Sequence, residues 1–124
     1  EAGRTGVFNV TGPAQPLTMG GLITTLRDAL APQAVPAWVP EDLLLAQGVA
    51  PWSELPVWLP QAQANLHRAG IAAALAAGLR CRPLADTVAD TAAWAAAGAP
   101  ASGNGLLPAR EAALLQAVRD AAAR

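Results

Sequence analysis

Apolar residues recur along this chain in two rhythms, and the changes between them mark out its elements. Val7-Phe8-Asn9-Val10 is a short β-branched and aromatic run, preceded by Gly6 and closed by Gly12-Pro13. It predicts a strand ending in a turn. Helical spacing takes over at Leu22, Ile23, Leu26 and Leu30, with Arg27 and Asp28 on the opposite side. Thr18 stands where its hydroxyl can accept from the free amides of a first turn, and Pro32 stops the helix. Residues 35–39 predict a second strand, which carries Trp38 and has Pro36 within it and Pro40 beside it, suggesting an edge position or a two-stranded ribbon. Strand, helix and strand in this order suit a small parallel βαβ unit.

Beyond Pro40 the pattern is helical with interruptions. Glu41 and Asp42 open a helix with their charges near its positive end, and Gly48 stops it. Residues 51–60 hold Pro51, Pro56 and Pro60 around Trp52 and Trp58, which forbids a long helix and predicts a loop or a pair of tight turns. The alanine-rich run from Ile71 to Ala77 is helical and ends at Gly78, while residues 65–70 either extend it or form a separate extended piece. Residues 79–82 predict a short strand, and Pro83 starts a helix showing Leu84, Val88 and Trp94 and ending at Gly98. A last helix opens near Pro108 with Leu114, Leu115 and Val118 on one face. The sum is an α+β lobe: a two- or three-stranded, mainly parallel sheet with several helices, all in one domain over residues 1–124.

Composition narrows what such a lobe can do. Much of the 53% apolar content is Ala, which favours helices but buries little area, so the four Trp must fill out a thin core. With a net charge of -1 and no Lys, the chain has no electrostatic footprint for nucleic acid or an anionic membrane surface. The longest apolar stretch, residues 71–79, is about half of a bilayer span. Cys81 is the single cysteine, which excludes an intrachain disulfide and suits the cytoplasm. The chain opens at Glu1 and its single Met is Met19, inside a predicted helix, which suggests an excerpt of a longer product.

Catalytic chemistry is sparse. His67 and Cys81 are too few to ligate a metal. Ser53, His67 and Asp86 formally offer a hydrolytic triad, without the Gly-x-Ser-x-Gly turn that exposes a nucleophile. No Gly-x-Gly-x-x-Gly follows a strand, so there is no dinucleotide fingerprint. The aromatic loop is the best candidate by position, because loops carry function disproportionately. Trp52 and Trp58 either wall a pocket or roof the core, and Glu54 between them either faces water or recognises a hydroxyl or an amine.

Three stretches in order resemble the extended short-chain dehydrogenases, the NAD-dependent epimerase/dehydratase family. Residues 6–12, Gly-Val-Phe-Asn-Val-Thr-Gly, followed by Pro16-Leu17-Thr18 and a helix, resemble its strand and Thr-capped helix. Residues 77–84, Ala-Gly-Leu-Arg-Cys-Arg-Pro-Leu, followed by Thr87, Asp90-Thr91 and Trp94, resemble its leucine-glycine, arginine-proline-leucine ending. Residues 105–111 resemble the tail of a reductase-like branch. The resemblance implies the carboxy-terminal, substrate-binding lobe of an enzyme whose missing amino-terminal Rossmann domain binds NAD or NADP and carries a Tyr-x-x-x-Lys pair. With no Tyr and no Lys, this chain cannot supply that pair and holds no cofactor of its own.

The resemblance also implies that the substrate meets residues 52–68. It points to Trp52, Glu54 and Trp58 as pocket wall, and to Arg68 as a polar anchor suited to phosphate or carboxylate. Arg82 is the next choice, with a salt bridge to Asp86 as its structural alternative. Such a lobe, lacking the domain it packs on, is expected to self-associate through an exposed apolar face. The rival reading is a self-contained, non-catalytic helical binding or structural module.

Overall fold

The computed structural model describes residues 3, 5–67, 69–100 and 103–123, except the side chains of Leu66 and His67. Every element among the described residues is helical: α1 (Met19–Leu30), α2 (Glu41–Ala46), a 3-10 helix (Gln61–His67), α3 (Ala72–Ala76), α4 (Leu84–Ala96) and α5 (Pro108–Ala122). The expected α+β lobe with a parallel sheet is therefore corrected to a helical architecture. Among the described residues, the only β pairing is an isolated parallel bridge between Pro51 and Leu55.

The three predicted strands fail for physical reasons that differ. Residues 7–10 have the right side chains, but a strand exists only with a partner, and Val7 stands 99% exposed. Residues 35–39 lose ladder donors at Pro36 and face Pro40 at their end. At residues 79–82 the first amide is already used: Leu79 N–H donates to the Ala74 carbonyl at 2.9 Å, closing α3.

The chain forms two compact units, each built from two separated segments: Glu1–Ala34 with Asn65–Pro100, and Val35–Ala64 with Ala101–Arg124. In the first, α1 packs against α4. Thr18 caps α1 as its position predicts, its Oγ1 accepting from Gly21 N–H at 3.1 Å. Burial here is thin: α1 buries no residue, α3 buries Ala74, and α4 buries Val88.

In the second unit, Leu44, Val49 and Leu114 form a buried cluster, with Val39, Leu55, Trp58 and Leu106 packed around it. Gly48 makes this cluster possible. Its φ of +63° lets the chain reverse after α2, so that Gly48 N–H reaches Leu45 O and Val49 N–H reaches Leu44 O, both at 3.0 Å. The reversal lays Val49 directly onto Leu44, the apolar contact that accompanies this helix stop. Pro108 opens α5, where a missing amide costs nothing, and Leu114 follows on its inner face.

Candidate functional site

The aromatic loop of residues 50–58 is held by hydrogen bonds from three directions. Within the loop, Glu54 N–H donates to Ala50 O at 3.0 Å and Ala50 N–H donates to Glu54 Oε2 at 2.8 Å. Arg110, from the first turn of α5, donates from Nε to Glu54 Oε1 at 3.2 Å and from Nη2 to the Gln47 carbonyl at 2.5 Å. Gly105 N–H donates to the Ser53 carbonyl at 2.6 Å. Both oxygens of Glu54 are thus engaged from inside the protein. The Ala50 amide is the main influence holding its carboxyl below the usual glutamate value; burial opposes it, and the Arg110 guanidinium adds to the lowering.

The same loop stores backbone strain. Trp52 and Val57 both take φ of +63°, a conformation costly to residues with a Cβ and more so to a β-branched one. Trp52 is half exposed, while Trp58 lies against the Leu44, Val49 and Leu114 cluster. Of the two tryptophans, then, one forms a wall of the core and the other meets solvent. Ser53 Oγ contacts its neighbour's carbonyl, Pro51 O, at 3.5 Å. The His67 side chain lies outside the described residues, so the hydrolytic reading gains no support.

The other candidate residues divide. Arg68 lies outside the described residues. Arg82, in the first unit, is described fully: Nε donates to Thr87 Oγ1 at 2.9 Å, Nη1 to Asp90 Oδ2 at 2.5 Å and Nη2 to the Asp86 carbonyl at 3.4 Å. The ion pair joins Asp90 rather than Asp86, whose contribution is its backbone oxygen. Pro83 turns the chain into α4 at this point, which sets Arg82 beside the helix's first two turns, where Thr87 and Asp90 stand.

Arg82 also lines a cleft of about 350 Å3. Its walls are Pro13 and Leu17 on one side and Cys81, Leu84 and Thr87 on the other, with Gly12 at its edge. Among the described residues Arg82 is the charged one lining this cleft, so the site is apolar with a single guanidinium wall, itself ion-paired with Asp90. Such a wall suits a small molecule carrying a carboxylate, phosphate or hydroxyl. Among the described residues there is no cluster of His, Cys, Asp and Glu able to hold a metal. No helix of the described residues is long and apolar enough to cross a membrane.

Two features escaped sequence reasoning. Arg110 stands 56 residues from Glu54, and no local spacing links them. The cleft joins residues 12–17 to residues 81–87, a pairing that only the tertiary fold reveals. Comparison with known proteins finds no matching family model, no matching curated protein and no matching solved structure.

Proposed function

We propose that this chain is the substrate-side portion of a cytoplasmic NAD- or NADP-dependent epimerase, dehydratase or reductase, inactive alone and completed by a Rossmann domain. One observation carries the reading. Two of the three stretches that resemble the extended short-chain dehydrogenases, residues 6–18 and residues 77–94, contribute the walls of a single cleft. Arg82 is the polar group of that cleft, held in one orientation by Thr87 and Asp90. A guanidinium fixed in this way orients an anionic or hydroxylated substrate without first losing its own rotamer freedom. With no Tyr, no Lys and no glycine fingerprint, the chain lacks the residues that the resemblance assigns to the nicotinamide cofactor and to proton transfer. This reading leaves hydride and proton transfer to the companion domain.

The test uses the full product of the gene. Its mass and its binding of NADH and NADPH are measured first, the latter by nicotinamide fluorescence. Next, Arg82→Ala is compared with wild type in steady-state kinetics on nicotinamide-linked reduction of carbonyl substrates. The reading expects cofactor binding by the full product, and a rise in KM larger than the fall in kcat for the variant. A product of 12.5 kDa that binds neither nucleotide overturns it.

A second reading, the self-contained helical module, draws support from the all-helical architecture and from the internal clasp of the aromatic loop. Light scattering on the 124-residue chain separates the two. A monodisperse monomer that unfolds in one cooperative step favours the module, and concentration-dependent self-association favours the incomplete lobe.

A further inference from the structure

A second concavity, lined by none of the residues that the sequence offered as site candidates, lies in the unit formed by residues 35–64 and 101–124. It is a groove of about 500 Å3 running beside Trp38, between α2 and the carboxy-terminal end of α5. Leu43 and Ala46 of α2 and Val118 and Ala121 of α5 supply its apolar surface. Small side chains at 46 and 121 leave the room that the volume records. The size falls within the range that holds a small organic molecule.

The electrostatics of this groove all have one sign. Among the described residues, Asp42 is the charged residue lining it, and no cation does so. One Asp42 oxygen, Oδ1, accepts from Leu43 N–H at 2.9 Å, and a carboxylate has further lone pairs to offer. The groove also meets the last turn of α5, which carries the negative end of the helix dipole. The nearby Arg119 turns back along its own helix, with Nε and Nη2 both on Gln116 Oε1 at 3.1 and 2.7 Å. Glu41, beside Asp42, is occupied by the Gln61 amide at 2.9 Å. Trp38 adds an indole that is 62% exposed, and an aromatic face attracts cations through its quadrupole.

We propose that this groove binds a small organic cation with an apolar body, an alkyl- or arylammonium, its charge shared between Asp42, the Trp38 ring and the α5 carboxy terminus. An anion of the same shape sets charge repulsion against the apolar contact there, and a neutral molecule gains the apolar contact alone. This is a site distinct from the Arg82 cleft, which presents the opposite charge, and it stands whether or not the lobe reading holds.

Three probes sharing a benzyl body test it on the 124-residue chain: benzyltrimethylammonium, its neutral isostere neopentylbenzene, and the anion phenylacetate. The readout is the indole Nε1–H resonance of Trp38, assigned with Trp38→Phe, during titration at low salt. The cation is expected to shift this resonance saturably and to bind at least about three-fold more tightly than the neutral isostere. Phenylacetate is expected to leave the resonance in place. Asp42→Asn, which keeps an oxygen for the Leu43 amide, is expected to weaken the cation about three-fold or more and to leave the isostere unchanged. Equal binding of cation and isostere, an indifferent Asp42→Asn, or no saturable shift with the cation overturns the proposal. A normal amide spectrum for Asp42→Asn excludes misfolding as the cause of its weaker binding.

Discussion

The two units of this protein solve the same problem, a shortage of large apolar side chains, in opposite ways. The unit of residues 1–34 and 65–100 lays two helices together, and α1 brings no buried residue to the pair. Its polar links are peripheral, the Arg82–Asp90 pair being open to solvent on both sides. The unit of residues 35–64 and 101–124 gathers Leu44, Val49 and Leu114 into one cluster and ties the loop above it through Glu54, Arg110 and Gly105. What the difference teaches is that an alanine-rich chain can secure a fold by fixing a loop, and that long helices alone do not secure one.

Substitutions can break this contrast. Leu114→Ala removes the α5 contribution to the cluster and is expected to cost about 3 kcal/mol in chemical denaturation. Val88→Ala, the matching change in α4, is expected to cost less, about 1.5 kcal/mol, because its surroundings are less enclosed and relax into the space. Similar losses at the two positions would erase the distinction between the units. Val57→Gly sharpens it in the other direction. Relief of the +63° backbone angle is expected to raise stability by about 1 kcal/mol, measured as a higher melting temperature.

Acid should loosen the clasped unit alone. The folded-state pKa of Glu54 lies below its unfolded value, so its contribution is complete above about 4.5 and is lost as pH falls through the folded value. In Glu54→Gln the melting-temperature difference from wild type should therefore shrink on going from pH 6 to pH 3. A difference that stays constant would mean that the carboxylate's charge contributes nothing. The smallest effect is expected for Arg82→Ala, under about 1 kcal/mol, because its ion pair is exposed.

How much of this was legible beforehand follows from the range of each signal. Helix boundaries are written in nearby residues, and so Thr18 capped α1, Pro83 preceded α4 and Gly48 ended α2 as their positions predict. Strands need a second segment, and the β-branched residues of 7–10 and 35–39 report only a preference for one. The aromatic loop was recognisable as irregular from its prolines. Its strain at Trp52 and Val57 was not, since neither residue type predicts a positive φ. The Glu54 pairing depends on an arginine 56 residues away, and the cleft at Arg82 on residues about 70 positions upstream, so both belong to tertiary structure.

The two-segment make-up of each unit sets the order in which that unit can be completed during synthesis. Residues 35–64 leave the ribosome with Leu44 and Val49 already present, but Leu114 and Arg110 follow only after the whole of residues 65–100. At about 5–20 residues per second, that interval leaves the aromatic loop without its clasp for several seconds. Until α5 emerges, Glu54 has its own loop's Ala50 amide and nothing of Arg110, and the apolar pair Leu44 and Val49 lacks Leu114. The last fifteen-residue helix is therefore the closing piece of a unit begun near residue 35.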